Sequence, residues 1–123
     1  ILAQQRADGW LAGTYGDHWQ PTARYACVTG VAQMALCWQR LHQMGGEQVF
    51  QDAARRAIDF VKRTQRIDDP DPIVNGAVPG SSPIWGDYSR FEFPNWAAKF
   101  FADALLMEIS GKAVPVAPAR RSA

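Results

Sequence analysis

One arrangement occurs twice along this chain: a glutamine, a loop rich in glycine and aromatic residues, a proline, and then a long apolar segment. The first copy reads Gln5, Gly9, Trp10, Tyr15, Gly16, Trp19, Pro21, and the second reads Gln65, Gly76, Gly80, Trp85, Gly86, Tyr88, Pro94. A unit that recurs after tens of residues does not bury its apolar face alone, so neighbouring units must cover one another. The expected fold class is therefore all-α, with antiparallel helical hairpins joined by long loops of glycine, proline and aromatic residues.

The spacing of apolar residues predicts the helices. From Pro21 to Met44, the positions Tyr25, Val28, Val31, Ala32, Ala35, Leu36, Trp38 and Leu41 keep helical period, with Pro21 suited to a first turn and Gly45-Gly46 to the stop. Polar residues on this segment are few and scattered, which marks an inner helix covered by protein. Gly30 in its middle suggests close approach of another backbone. Between Glu47 and Thr64 the pattern changes: Phe50, Ala53, Ala54, Ala57, Ile58 and Val61 form one stripe, and Arg55, Arg56, Asp59, Lys62 and Arg63 face away. This is an outer helix, and the two-glycine link folds it back antiparallel on the first. A second inner helix is expected from Asn95 through Ile109, with Gly111 as its stop and Lys99 and Asp103 in ion-pairing register. Between the outer helix and this one, residues 65–93 show no sustained period. Connections beyond about 12–15 residues are uncommon in compact domains unless they serve a function, and Trp85, Tyr88, Phe91 and Phe93 argue that this loop is ordered and packed. The domain is expected to span residues 1–111, with 112–123 as a tail. Because Ile1 to Gln5 reads like the end of a helix already under way, the chain is expected to be a piece of a longer polypeptide.

Composition excludes some partners. Thirteen basic and 12 acidic side chains give a net charge of +1, too even a balance for a nucleic-acid or acidic-membrane footprint. No apolar run reaches the roughly 18 residues of a membrane span. The two cysteines, Cys27 and Cys37, would lie about 15 Å apart on one helix and so do not pair; both are expected as buried thiols, in keeping with a reducing compartment. Five tryptophans, six phenylalanines and three tyrosines are generous for this length, and those in the loops call for an explanation.

The order inner helix, outer helix, glutamine, glycine–aromatic loop resembles the α/α-toroid proteins. The element Gln5, Gly9, Trp10 is similar to the Q-x-x-x-G-x-W repeat of terpene cyclases and protein prenyltransferase β subunits, shortened by one residue. The resemblance implies a barrel of several hairpins, of which this chain holds about one and a half, completed by the remainder of its polypeptide or by self-association. Toroids also include six-hairpin glycoside hydrolases, polysaccharide lyases and sugar epimerases, so fold alone does not choose a chemistry.

The cyclase reading would need a D-x-D-D acid, and Asp68-Asp69-Pro70-Asp71 departs from it; such a cluster beside prolines reads as a solvated turn. Asp17, His18 and Cys27 offer zinc-ligand types at a spacing unlike the prenyltransferase site, so neither a metal nor another cofactor is expected. The loops themselves favour carbohydrate. Sugar rings stack on flat aromatics while charged and amide groups bind hydroxyls, which nominates Trp10, Tyr15, His18, Trp19, Trp85, Tyr88 and Arg90 as substrate-binding residues. Asp17, Asp87 and Glu92 are the candidate acid and base. The expected partner is thus a polysaccharide or oligosaccharide, with an isoprenoid enzyme fragment or a non-catalytic repeat scaffold as the alternatives; the scaffold reading requires that the aromatics merely pack the loops.

Overall fold

The computed structural model describes residues 1–113. It is mostly helical: α1 spans Val28–Gln43, α2 spans Gln48–Thr64 and α3 spans Asn95–Ala113, preceded by a short 3-10 turn at Leu2–Gln4. A small antiparallel pair interrupts the all-α expectation, with β1 (Ala26–Cys27) opposite β2 (Ser81–Ser82) in the register Ala26 to Ser82 and Cys27 to Ser81. Of the expected tail, residues 112–123, Lys112 and Ala113 instead continue α3, and 114–123 lie outside the described residues.

The hairpin of α1 and α2 forms as the apolar stripe requires. Ala53, Ala54, Ala57, Ile58 and Val61 are buried against α1, whose contribution includes Val28, Val31, Ala32, Ala35 and Trp38. Small alanines on α2 let the two helices approach closely, and Trp38 is the largest of the fully buried side chains of the core. α3 packs on the other side of α1 through Ala97, Phe101 and Ala104, so α1 is the central helix and α2 and α3 scarcely meet. A buried amide links the inner pair: Gln39 Nε2 donates to the Ala104 carbonyl at 3.0 Å. On the outer face of α3, Trp96, Leu106 and Ile109 are exposed.

The first copy of the repeated element staples the N-terminal segment onto α2. Gln5 Nε2 donates to the Ala53 carbonyl at 2.9 Å, and Gln5 Oε1 accepts from Arg56 Nε at 3.1 Å. Arg56 is therefore drawn into the staple instead of facing away. Gly9, at φ +91°, lies so close to the helix that a Cβ there would stand 2.0 Å from the Arg56 carbonyl oxygen. The second copy behaves otherwise: Gln65 Nε2 donates to Gly76 O within its own loop, and a Cβ on Gly76 would meet nothing within 4 Å.

Several expectations need correction. Helix α1 starts at Val28, not Pro21, because residues 21–27 are claimed by tertiary partners: Pro21 bridges to Tyr15, and β1 pairs with β2. Gly30 meets only the side chain of Cys27, at 3.5 Å, so no backbone crosses there. Gly111 does not stop α3, which runs on to Ala113. Nor are the cysteines two buried helical thiols. Cys37 is exposed, and Cys27 is the N-cap of α1, its Sγ accepting from the Gly30 N–H at 3.3 Å. Both are free, as expected from their separation.

Burial pushes the Cys27 thiol up, against the lowering effect of the Gly30 and Thr29 N–H groups. The folded state thus favours the protonated thiol, so this contribution to stability is intact below the ordinary value of 9.0 and is lost as pH rises through the higher folded value. Iodoacetamide at neutral pH is expected to modify Cys37 first and Cys27 much more slowly, the difference vanishing in denaturant. Equal native rates, read by mass spectrometry, would contradict this assignment.

Candidate functional site

The two glycine–aromatic loops come together at the N-terminal ends of α1 and α3. Loop one folds as a short arm. Tyr15 bridges Pro21, Thr22 N donates to Thr14 O at 3.0 Å, and the Thr14 and Thr22 hydroxyls bond at 2.7 Å, leaving Asp17, His18 and Trp19 at the tip. Loop two is closed on itself by Phe91 N to Ile84 O at 2.9 Å and by Ser81 Oγ to Tyr88 O at 2.5 Å. Gly80 fastens it to the core, accepting from Val28 N and donating to Glu92 O. The segment that the sequence left without a period is therefore held by hydrogen bonds, and not, as expected, by packing of all its aromatics: Trp85 and Phe91 stay exposed.

Tyr25 joins the loops. Its ring occupies the space left by two missing side chains: a Cβ on Gly13 would lie 2.4 Å from Tyr25 Cε2, and one on Gly86 would lie 2.5 Å from Tyr25 Cγ. Gly13 N also donates to Tyr25 O at 2.8 Å. No periodicity argument isolates this clasp, because Tyr25 also fits the apolar spacing of the segment that follows.

The aromatic candidates divide. Trp10 is removed from the site: it is buried in the core, with the Arg6 guanidinium 3.8 Å above its ring, next to the point where Gly9 lies against α2. Tyr15 is half-buried, its hydroxyl accepting from Ala12 N at 2.8 Å and its ring 6.4 Å from that of Trp19. Burial raises the Tyr15 phenol above its usual range, opposed by the Ala12 N–H and the Arg6 charge. Trp19 is 61% exposed and Trp85 46% exposed, joined by two residues not foreseen, Phe91 at 63% and Trp96 at 48%. Trp96 Nε1 donates to the Tyr88 hydroxyl at 2.9 Å, which ties α3 to loop two. Trp19 and Phe91 hold φ near +60°, at 60° and 56°, a conformation that L-residues adopt at a cost and that the surrounding hydrogen bonds maintain.

The polar candidates lie in water. Asp17, His18 and Glu92 are exposed, and Asp87 is ion-paired with Arg90 at 2.5 Å, both well solvated. General acids and bases are tuned by burial and by close charged neighbours in a dry cleft, and none of these carboxylates sits in one. Asp69 and Asp71 serve their own turn, Asp69 Oδ1 accepting from Asp71 N at 3.0 Å and Asp71 Oδ1 from Ile73 N at 2.9 Å. Among the described residues no cluster of three metal-ligating side chains occurs, and no helix is long and apolar enough to cross a membrane. No protein family, curated protein sequence or solved structure matches the chain.

Proposed function

We propose that this chain is a carbohydrate-binding segment of a larger α/α-toroid protein, binding sugar rings on the aromatic face of its two joined loops. The observation that carries the reading is the set of solvent-facing rings, Trp19, Trp85, Phe91 and Trp96, on backbone fixed by hydrogen bonds at one end of the helices. Large exposed aromatics held rigidly lose little entropy on binding, and their electron-rich faces attract the C–H edges of a pyranose ring. Asp87 and Arg90 stand beside Tyr88 to bond hydroxyls. Because the carboxylates are solvated, binding is favoured over acid–base catalysis by this segment alone.

The larger repeat is supported by two further observations. Gly76 of the second staple faces open space where Gly9 of the first meets an outer helix, and α3 exposes Leu106 and Ile109. An outer helix following α3, related to it as α2 is to α1, would account for both.

Titration of the chain with neutral and uronic oligosaccharides is expected to give a saturable change in tryptophan fluorescence, weakened about tenfold or more by Trp85→Ala. Trp85→Ala should leave the cooperative unfolding transition intact, and Trp19→Ala, at the more exposed ring, should alter thermal stability less. A flat response across all glycans would overturn the reading.

A further inference from the structure

A groove of about 340 Å³ lies between the C-terminal end of α2 and the start of loop two. We propose that it is a binding site for an oxyanion, the phosphate or carboxylate group of a ligand, held by Arg63 and Arg66. The groove shares no residue with the aromatic face, so the proposal stands whether or not that face takes sugar.

Charge carries the argument. Arg63, Gln65, Arg66, Ser81, Ser82 and Ile84 line the groove, and no carboxylate does. Neither lining arginine takes part in the ion pairs that Lys62 forms with Asp59, Arg90 with Asp87 and Lys99 with Asp103. Arg63 has a structural role: it complements the end of α2 and donates to the Asp8 carbonyl. Arg66 lies beyond the helix, and its guanidinium stands 6.0 Å from the Phe93 ring centre. The Phe93 contact orients Arg66 without satisfying its N–H groups. Two cationic residues therefore line one concave surface that holds no carboxylate, and a guanidinium presents paired donors that match two oxygens of a phosphate or carboxylate. Gln65 Nε2 and the Ser81 hydroxyl are committed to Gly76 O and Tyr88 O. The Ser82 hydroxyl is the remaining side-chain donor on the opposite wall. The volume suits a small anionic group with part of its carrier.

Nuclear magnetic resonance of the 123-residue chain tests this, with inorganic phosphate or acetate added at constant ionic strength set by sodium chloride. Saturable shifts are expected at the Arg63 and Arg66 Nε–H signals and the Ser82 amide. Arg66→Gln should weaken binding about tenfold, with Arg66→Lys intermediate because the charge is kept and the fork is lost. Tighter phosphate binding would assign the site to phosphorylated ligands and tighter acetate binding to carboxylates. Arg66 is exposed, so its variants should retain the parent melting curve. Shifts that stay linear in concentration, spread equally over Arg55 and Arg90, or persist unchanged in Arg66→Gln would overturn the proposal.

Discussion

Gly9→Ala is expected to destabilise the protein by roughly 3–4 kcal/mol, whereas Gly76→Ala should cost only about 1 kcal/mol, although both glycines have positive φ. The two occupy corresponding places in the repeated element, at φ +91° and +84°, so the backbone penalty for an L-residue is nearly the same. They differ in what the new methyl group would meet. At Gly9 it would lie 2.0 Å from a carbonyl oxygen of α2, a rigid helical backbone that does not rotate away, and at Gly76 it would enter open space. The cheapest relief at Gly9 is for the staple to lift off, which breaks both Gln5 hydrogen bonds and exposes Trp10. Thermal unfolding would measure the loss, and a red shift of tryptophan emission in the folded baseline would report the lifted staple. Equal costs at the two positions would mean that Gly9 is chosen for its φ alone.

The second large effect concerns the clasp. Gly13→Ala and Gly86→Ala should each destabilise by about 1–3 kcal/mol through overpacking on Tyr25, and both should abolish a glycan response, since the loops would no longer sit together. Tyr25→Ala is expected to rescue Gly13→Ala more fully than Gly86→Ala. The nearest neighbours of a Gly13 methyl are all Tyr25 ring atoms, whereas a Gly86 methyl also lies 2.7 Å from Tyr25 Cβ and 2.7 Å from Ser81 Cβ. A double-mutant cycle reads the difference directly. Strict additivity in the Gly13 cycle would show that Tyr25 is not the residue these glycines accommodate.

Local pattern made much of the fold legible. The alanine-rich stripe of α2 announced its buried face, and the two-glycine link announced the hairpin. The misreadings occurred where distant partners decide. Residues 21–27 continue the apolar spacing of α1, but their backbone is engaged by Tyr15 and by β2, and pairing across more than fifty residues leaves no local trace. Trp10 looked like the other loop aromatics because sequence does not reveal which way a staple turns. At the site, Trp19, Trp85 and Tyr88 could be nominated from composition and position. Phe91 and Trp96 were absorbed into the reading of loop packing and of α3, and the groove at Arg66 joins residues too far apart to form a motif.

The bond from Gln39 to the Ala104 carbonyl bears on how one inner helix finds its place beside another. Apolar side chains occur all round α3, so dispersion alone gives it several rotations and axial offsets of similar energy against α1. The observed alignment brings the Ala104 carbonyl opposite the amide of Gln39, and any alignment that left this buried amide without a partner would cost about 1–3 kcal/mol. The glutamine therefore acts as an index mark: it adds little to the strength of the contact and disfavours those alignments, tolerable to packing, that leave its amide unpaired. Since α3 also carries Trp96, that preference bears on where the aromatic face stands relative to loop one.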